Sequence, residues 1–404
     1  MNEWLSRSAK PVCGKTGKSF LFPHLKRIPW MATPIAKFIH HSCQCHAGTE
    51  TLTFRKFASD ECMCSPLPRF CQTIVKIETF MRKLWHQFIP VIRLGSLLLR
   101  IFLSGILISC LVIRFLLKDG SEAFAVVYYC TPLPVLAIFS LLLGIIWLLS
   151  KRIRVARACF IFTLLSLMAW SYKNISLNTR TPAAEDVKLL FWNAANNRRT
   201  EEITGYIQSF DADIIGFVEA GIGKRKMGIW KAVFPNHDIQ ILPGDMALLT
   251  RGGIISKESG ALGRRGRYNL IKVVSEGKLF HVLLVDIDGD PLRSRAPAFE
   301  QLAEMIRAYG QTNLIVMGDF NTPLDSVLFD PLREYLTHAF ESGGKGFSPS
   351  WPVPLPVLVI DHIWVSKRLT VVDCNLSWSR FSDHRSVVAH IEPPTAGPIE
   401  TGRR

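Results

Sequence analysis

The sequence predicts an α/β sandwich, two sheets packed face to face with helices outside, preceded by three membrane-spanning helices. Three observations lead there. Beyond residue 186, short β-rich runs alternate with a few helical ones, the pattern of two packed sheets with helical cover. Between residues 94 and 172 lie three apolar runs, each near the ~20 residues needed to cross a bilayer. Several β-rich runs end on acids, amides or imidazoles, the groups that open sheets present at their rim. A mean hydropathy of +0.20 over 404 residues agrees with part of the chain sitting in lipid.

The formal charge of +15 is unevenly placed. The first 172 residues hold 21 Lys and Arg against 7 Asp and Glu, whereas the remainder holds 27 against 26. The basic excess therefore belongs to the membrane-flanking part, where it sets orientation, and does not point to a nucleic-acid substrate. Of ten cysteines only Cys374 lies beyond residue 172, so the C-terminal domain has no disulfide framework of its own. A domain of about 200 residues buries enough surface to do without one.

In chain order, residues 1–90 mix basic residues, Pro and six cysteines without a sustained period, and are expected to be poorly ordered. The cluster from His40 and His41 to Cys43, Cys45 and His46, followed by Cys62, Cys64 and Cys71, has Cys-x-Cys spacing rather than the Cys-x2-Cys of structural zinc modules. Met81, just before the first apolar run, is an alternative start of translation. The 91–172 region supplies three helices, at about 94–117, 123–149 and 154–172. Arg100 and Arg114 in the first would snorkel to opposite interfaces, and Pro132 and Pro134 would kink the second. Lys76, Arg82, Lys83 and Arg93 precede the first span and Lys151, Arg152, Arg154 and Arg157 lie in the second loop. The positive-inside rule then puts everything after Tyr172 outside, giving a multi-pass protein of a bacterial inner or plasma membrane. Residues 173–185 read as a polar linker, 186–393 as the catalytic domain and 394–404 as a disordered tail.

Within the domain the pattern predicts strands at Val187–Trp192, Asp213–Val218, Met246–Thr250, Tyr268–Val274, Leu279–Ile287, Asn313–Met317, Val357–Val365 and Ser386–Ile391. Helices are predicted over Thr200–Phe210 and Ala296–Tyr309. The hard oxygen ligands at the strand ends, with one paired histidine, suit magnesium-assisted attack on a phosphate ester. Glu219 fits a metal ligand, Asn193 supports that ligand set, and Asp383 completes the metal or water contacts. Asp319 would deprotonate the attacking water, Asn321 would hold a nonbridging oxygen, and His384 would donate a proton or clamp the phosphate. Asn196 is a further phosphate contact or a turn residue. His362 should face away from the site, because side chains alternate along a strand. Lys224, Arg225 and Lys226 form a basic loop that meets an anionic substrate or is solvated surface.

Phe191-Trp192-Asn193 with Asn196, Glu219, Gly318-Asp319-Phe320-Asn321, Ile360-Asp361-His362 and Ser382-Asp383-His384, in this order, resemble the endonuclease/exonuclease/phosphatase superfamily over about 186–393. The resemblance implies a four-layered αββα fold of two mixed sheets and divalent-metal-dependent phosphoester hydrolysis, with Mg2+ or Mn2+ as cofactor. It also implies that Asp361 fixes the tautomer of His384. Two departures stand out: Ser350 precedes Trp351-Pro352 where bacterial relatives have Thr, and Asp286 stands where many members place a phosphate-contacting His, so that it would instead join a metal shell or pair with Arg293 or Arg295. The expected partners are a phosphate-ester substrate (nucleic acid, lipid headgroup or small molecule) and the bilayer, with no obligate protein partner. The alternative is a membrane-tethered binding module of the same fold without catalysis.

Overall fold

The computed structural model describes residues 67–196, 199–275 and 277–393. The Cys/His cluster before residue 67 and the tail 394–404 lie outside them. Two compact units divide at His86, and of the first only the stretch from Leu67 is described. Residues 67–90, the described part of the segment expected to be poorly ordered, are helical. Helix α1 runs from Leu67 to Val112 and continues as a π turn over Ile113–Leu117.

Three further helices follow: α2 (Glu122–Cys130), α3 (Leu133–Leu149) and α4 (Ile153–Asn174). Two helical stretches, Thr79–Leu117 and Ile153–Asn174, are long and apolar enough to cross a membrane. A third span exists only if α2 and α3 count as one, and they meet at 71°. The expected kink is thus a break. Pro132 and Pro134 lack amide hydrogens, and a residue before Pro avoids the α region, so the helix restarts at Leu133. Only 6% of the most apolar window of Thr79–Leu117 is buried, so its side chains face outward. Helices α3 and α4 pack closely at Gly144, where a Cβ would lie 2.8 Å from the Phe160 ring.

The expected linker is partly a strand. β1 (Ile175–Leu177) pairs antiparallel with β11 (Lys345–Phe347), while the Asn178 amide donates to Gly343 O and Val372 O. The chain leaving α4 is therefore stitched to the domain.

Two mixed six-stranded sheets form the domain. The first has the order β10 (Leu336–His338), β12 (Asp361–Ser366), β9 (Leu314–Asp319), β8 (Lys278–Asp286), β7 (Gly266–Ser275) and β6 (Gly252–Leu262). The second has β13 (Val371–Ser377), β14 (Ser386–Ile391), β2 (Val187–Asn193), β3 (Ile214–Val218), β5 (Met246–Thr250) and β4 (Asp238–Leu242). Within them β8/β9 and β2/β3 are parallel, and the other pairs are antiparallel. Alternation along each strand builds the layers. Leu189 and Phe191 of β2 meet Ile315, Met317 and Ile363 of the opposing sheet, while Leu190 and Trp192 face outward under α5 (Thr200–Gln208) and α6 (Met227–Val233). On the far side α7 (Ala296–Tyr309) covers Leu283, Val285, Leu314 and Val316. The result is the expected four-layered αββα sandwich.

The segment 357–360, expected as strand, is irregular apart from a bridge between Leu358 and Trp351, and β12 starts only at Asp361. Strands β4, β6, β10, β11 and β13 are additions to the sequence-based reading.

The segment joining α1, α2 and α3 is fastened to this sandwich. Arg114 lies over the Tyr128 ring and pairs with Asp325 at 2.5 Å. Asp119 accepts from Ser326 Oγ (2.5 Å), from the Val327 N–H (3.2 Å) and from Tyr129 OH (3.1 Å). The Arg295 guanidinium sits 4.1 Å from the centre of the Tyr129 ring. Arg114 therefore turns toward the domain. Arg100, 14 residues earlier and about 21 Å back along the helix, lies against Trp147 near the other end of α3.

Candidate active site

Three carboxylates line up on neighbouring strands. Asp319, the last residue of β9, is in register with Asp361 on β12 and with Asp286 on β8. The close approach of β8 to β9 depends on Gly318, since a Cβ there would meet Val285 O at 2.1 Å. Opposite this row, the second sheet contributes Asn193 at the end of β2, Glu219 just after β3, and His384 just before β14.

Asp319, 2% exposed, is held from two sides. Its Oδ1 accepts the Asn321 N–H at 2.8 Å, and its Oδ2 accepts Asn193 Nδ2 at 2.9 Å. Asn193 Nδ2 also lies 3.4 Å from Glu219 Oε1, so one amide bridges two acids. The Asn193 carbonyl accepts from the Ala195 N–H at 2.9 Å, which leaves one lone pair of the expected metal-supporting oxygen free.

His384 Nδ1 pairs with Asp361 Oδ2 at 2.9 Å, and Nε2 lies 4.0 Å from Asp319 Oδ2. Its backbone is clipped to β2: Trp192 Nε1 donates to His384 O, and Ser382 Oγ links the His384 N–H to Asn193 O. Burial pushes the imidazole's pKa down, but the Asp361 charge and hydrogen bond, with Asp319 and Asp383, outweigh it and raise the pKa to about 10. Burial, then the neighbouring Asp361 charge, pushes the Asp319 carboxyl upward, against the pull of His384. Asp286 is pushed up to about 7 by burial, Glu219 and Asp288.

The remaining expected residues take these places. Asp383 is half exposed, accepts from Trp351 Nε1 at 3.0 Å and lies 3.9 Å from His384 Nε2. It joins the cluster through His384, and no described contact ties it to Glu219. The Asn196 amide donates to Glu219 Oε2 at 2.9 Å, so its contact is with the acid rather than with the open cleft. Asn321 Nδ2 donates to Ile287 O at 2.8 Å. Glu219, Asn196 and Asn321 all have left-handed φ, +47°, +52° and +49°. Asn adopts that region readily and Glu does not, so the Glu219 backbone is strained at the rim. His362 faces away, as expected from the alternation. Ser350 accepts from the N–H groups of both Ile360 and Asp361, and so supports the start of β12.

Asp286, expected from the sequence to join a metal shell or to pair with Arg293 or Arg295, lies beside Asp319 through strand register, while Arg293 pairs with Asp288 and Asp290. Arg385 was assigned no role from the sequence. Arg385 is buried, donating to Phe347 O, Pro349 O and Leu376 O, and it anchors the loop behind His384. No periodic signal marks a residue whose partners are distant carbonyls.

The donor set fits a divalent cation. Buried carboxylates converge with too little positive charge among them, the Asp361 Oδ1 has no hydrogen-bond partner, and the available atoms are hard oxygens. Asp319, Asp361 and His384 offer atoms within 4.8 Å of one another, but the Asp361–His384 hydrogen bond already occupies that trio.

The model of the endonuclease/exonuclease/phosphatase family matches residues 176–384, just over half of the sequence. The chain belongs to that family. Its members are phosphoric ester hydrolases, typically dependent on a divalent metal, and the site carries the corresponding acids, amides and histidine. Among solved structures, the chain is similar to an endonuclease/exonuclease/phosphatase from Bacteroides vulgatus, with 16% identity and a TM-score of 0.43 over 51% of this chain and 98% of that one. A humanized D. rerio TDP2 gives 13% and 0.44 over 52% and 100%. A mannosyl-6-phosphatase from Bacteroides thetaiotaomicron gives 18% and 0.41 over 51% and 99%. No curated protein sequence matches the chain.

Proposed function

We propose that the protein is a membrane-anchored, divalent-metal-dependent phosphoesterase that cleaves phosphodiester or phosphomonoester bonds with an activated water, its catalytic domain outside the membrane. The observation that carries this reading is the Asp319 carboxylate, fixed by Asn193 and the Asn321 N–H and 4.0 Å from an imidazole paired with Asp361. Asp319 takes the proton from the attacking water. The water is oriented by the same oxygen that Asn193 holds, so the base and its support move together. His384, kept protonated by Asp361, turns its Nε2–H toward a phosphoryl oxygen as charge grows there. Asn321 lies beside it with one amide hydrogen left after its bond to Ile287 O.

Glu219 would hold the metal with Asp383 and the free lone pair of Asn193, and Asn196 would fix the Glu219 rotamer. Bound there, Mg2+ or Mn2+ would supply Lewis-acid neutralisation of the nonbridging oxygens. Near-balance of charge beyond residue 172 argues against a duplex nucleic acid, which draws on a basic stripe. A lipid headgroup or a small phosphoester fits better.

Anchoring is supported by the outward-facing apolar helices. The C-terminal end of α1, the N-terminal end of α3 and the C-terminal end of α4 all meet the domain, whereas Lys151 to Arg157 lie where α3 ends and α4 begins, away from it. That distribution favours a domain outside.

The test uses the full-length protein in a neutral detergent with bis-p-nitrophenyl phosphate. Turnover should require Mg2+, vanish with chelator and return when Mg2+ or Mn2+ is added back. No turnover of this ester, plasmid DNA or sphingomyelin by folded protein would move the binding-module reading ahead. For topology, alkaline phosphatase fused after Arg404 should be active, and a stable inactive fusion would overturn the outside placement.

A further inference from the structure

A cavity of about 320 Å³ lies where the helices meet the sandwich, away from the carboxylate cluster. Its walls are of two kinds. Leu133, Trp170 and Leu324 give an apolar side, and Arg114, Lys173 and Arg333 a cationic one. Arg114 is paired with Asp325 and Arg333 with Glu341, also in the lining, which leaves a net charge of one positive. Lys173 carries that charge. Among the described residues it has no ion-pair or hydrogen-bond partner, and it is exposed at the end of α4.

We propose that this cavity binds the headgroup of an anionic phospholipid from the surrounding bilayer, its phosphate on Lys173. The inference rests on the membrane-anchored reading of the helices. Size argues for a headgroup rather than a whole lipid, because the volume is near the lower limit for small-ligand pockets. Acyl chains must then lie outside, and the surface provides for them. Leu116, Val135 and Met168, on the outer faces of the same helical segments, are 78%, 41% and 59% exposed. The depth also fits: Trp170 and Lys173, an aromatic and a cation at a helix end, are the pair expected at the headgroup level.

The walls lead directly to the catalytic residues. Pro323 to Asp325 follow Asn321 by two residues, and Val357 to Val359 precede Asp361 by two. These segments are bonded to each other, Leu324 N–H to Val359 O and Phe320 N–H to Ile360 O. A headgroup seated in the cavity packs against both and limits their motion, so the anionic lipid raises turnover while the cleft itself is untouched.

The full-length protein is incorporated into phosphatidylcholine vesicles with and without phosphatidylglycerol, and lipid retained after detergent re-extraction is measured by mass spectrometry. Phosphatidylglycerol should be retained in preference to phosphatidylcholine and should raise turnover of bis-p-nitrophenyl phosphate. Lys173→Glu should weaken that preference by about fivefold or more, the scale of one lysine at an anionic surface, and keep the activity seen in phosphatidylcholine alone. Leu133→Trp, which fills the cavity, should do the same without changing charge. Equal retention of the two lipids, or unchanged preference in both variants, overturns the site. Displacement by free glycerol phosphate as readily as by phosphatidylglycerol overturns the lipid assignment in favour of a soluble phosphoester. Flotation with pure phosphatidylcholine vesicles separates the premises: a protein that floats but shows no preference loses only this site, and one that does not float loses the anchoring.

Discussion

Asp361 and His362 are neighbours on β12, and the two faces of that strand give their imidazoles opposite fates. On the inner face Asp361 meets His384, and the acid beside it lifts that histidine's pKa to about 10. On the outer face His362 is enclosed by Phe320, Phe329, Trp364 and His338, with Nε2 on Thr322 O and Nδ1 on His338 Nε2. Burial there pushes both His362 and His338 down to about 3. Both environments are nearly dry. The difference is that one face supplies carboxylates and the other supplies aromatic rings and a second imidazole. Charge is thus stored on the face that opens to the cleft and excluded from the one that packs under the helices.

The largest effect that would sharpen this contrast is on the inner face. Asp319→Ala should lower kcat by about 10³- to 10⁴-fold, the upper part of the range for a positioned general base. Its melting temperature should hold or rise, because the folded state keeps that carboxyl dry beside another acid. Equal activity in the variant would remove Asp319 as the water-activating group. Next, Asp361→Asn should cost about 10²-fold or more in kcat/KM, by analogy with the acid that orients a catalytic histidine. Asp361 favours the charged imidazole, so its loss lowers the His384 pKa. The alkaline limb of the pH profile should move down toward neutrality, and an unmoved limb would show that His384 does not act as the protonated group.

The strand ends were legible in the sequence because an apolar run that stops on a polar residue marks the rim of a sheet. β5, α7 and β14 have the bounds that the pattern predicts, and Asn193 lies within hydrogen-bond reach of Glu219 and Asp319, with His384 4.0 Å from Asp319. What was not legible lacks a local signal. β6 is an edge strand rich in Gly, Ser and charge, with almost every side chain exposed, so no alternation announces it. The Arg114–Asp325 pair joins residues 211 apart, and nothing near either one in sequence names the other. Asn196 looked free to meet phosphate because the chain does not reveal that Glu219 takes its amide. For Asp286 the sequence left a metal shell and an arginine pair both open, and the register of β8 with β9 sets it beside Asp319.

On the outer face the contrast predicts acid sensitivity. His338 and His362 have folded pKa values near 3 against about 6.5 when unfolded, so between these limits the unfolded chain binds more protons. Stability contributed by keeping them neutral is full above 6.5 and falls as the pH drops through that value. One unit below, at about pH 5.5, each histidine should cost about 1.4 kcal/mol relative to neutral pH. Chemical denaturation of the detergent-solubilised protein at both pH values would measure it, and a flat response would mean that the pair is hydrated or already charged.

The smallest effect tests whether the two faces are independent. His362→Phe retains a ring among Phe320, Phe329 and Trp364 but leaves Thr322 O and His338 Nε2 without their partner. The expected loss is about 2 kcal/mol at neutral pH, the scale of unsatisfied buried polar groups. At pH 5.5 the gap from the parent protein should narrow, since the variant has one fewer histidine to protonate on unfolding. Turnover should stay within about twofold if the faces are independent, because His362 points to the face of β12 opposite Asp361 and its partner His384. Thr322 directly follows Asn321, however, so a tenfold fall in kcat with KM unchanged would show that the Thr322 carbonyl, through its bond to His362, positions the amide at the phosphate. In that case the neutral histidine belongs to the machinery of the site as much as the charged one does.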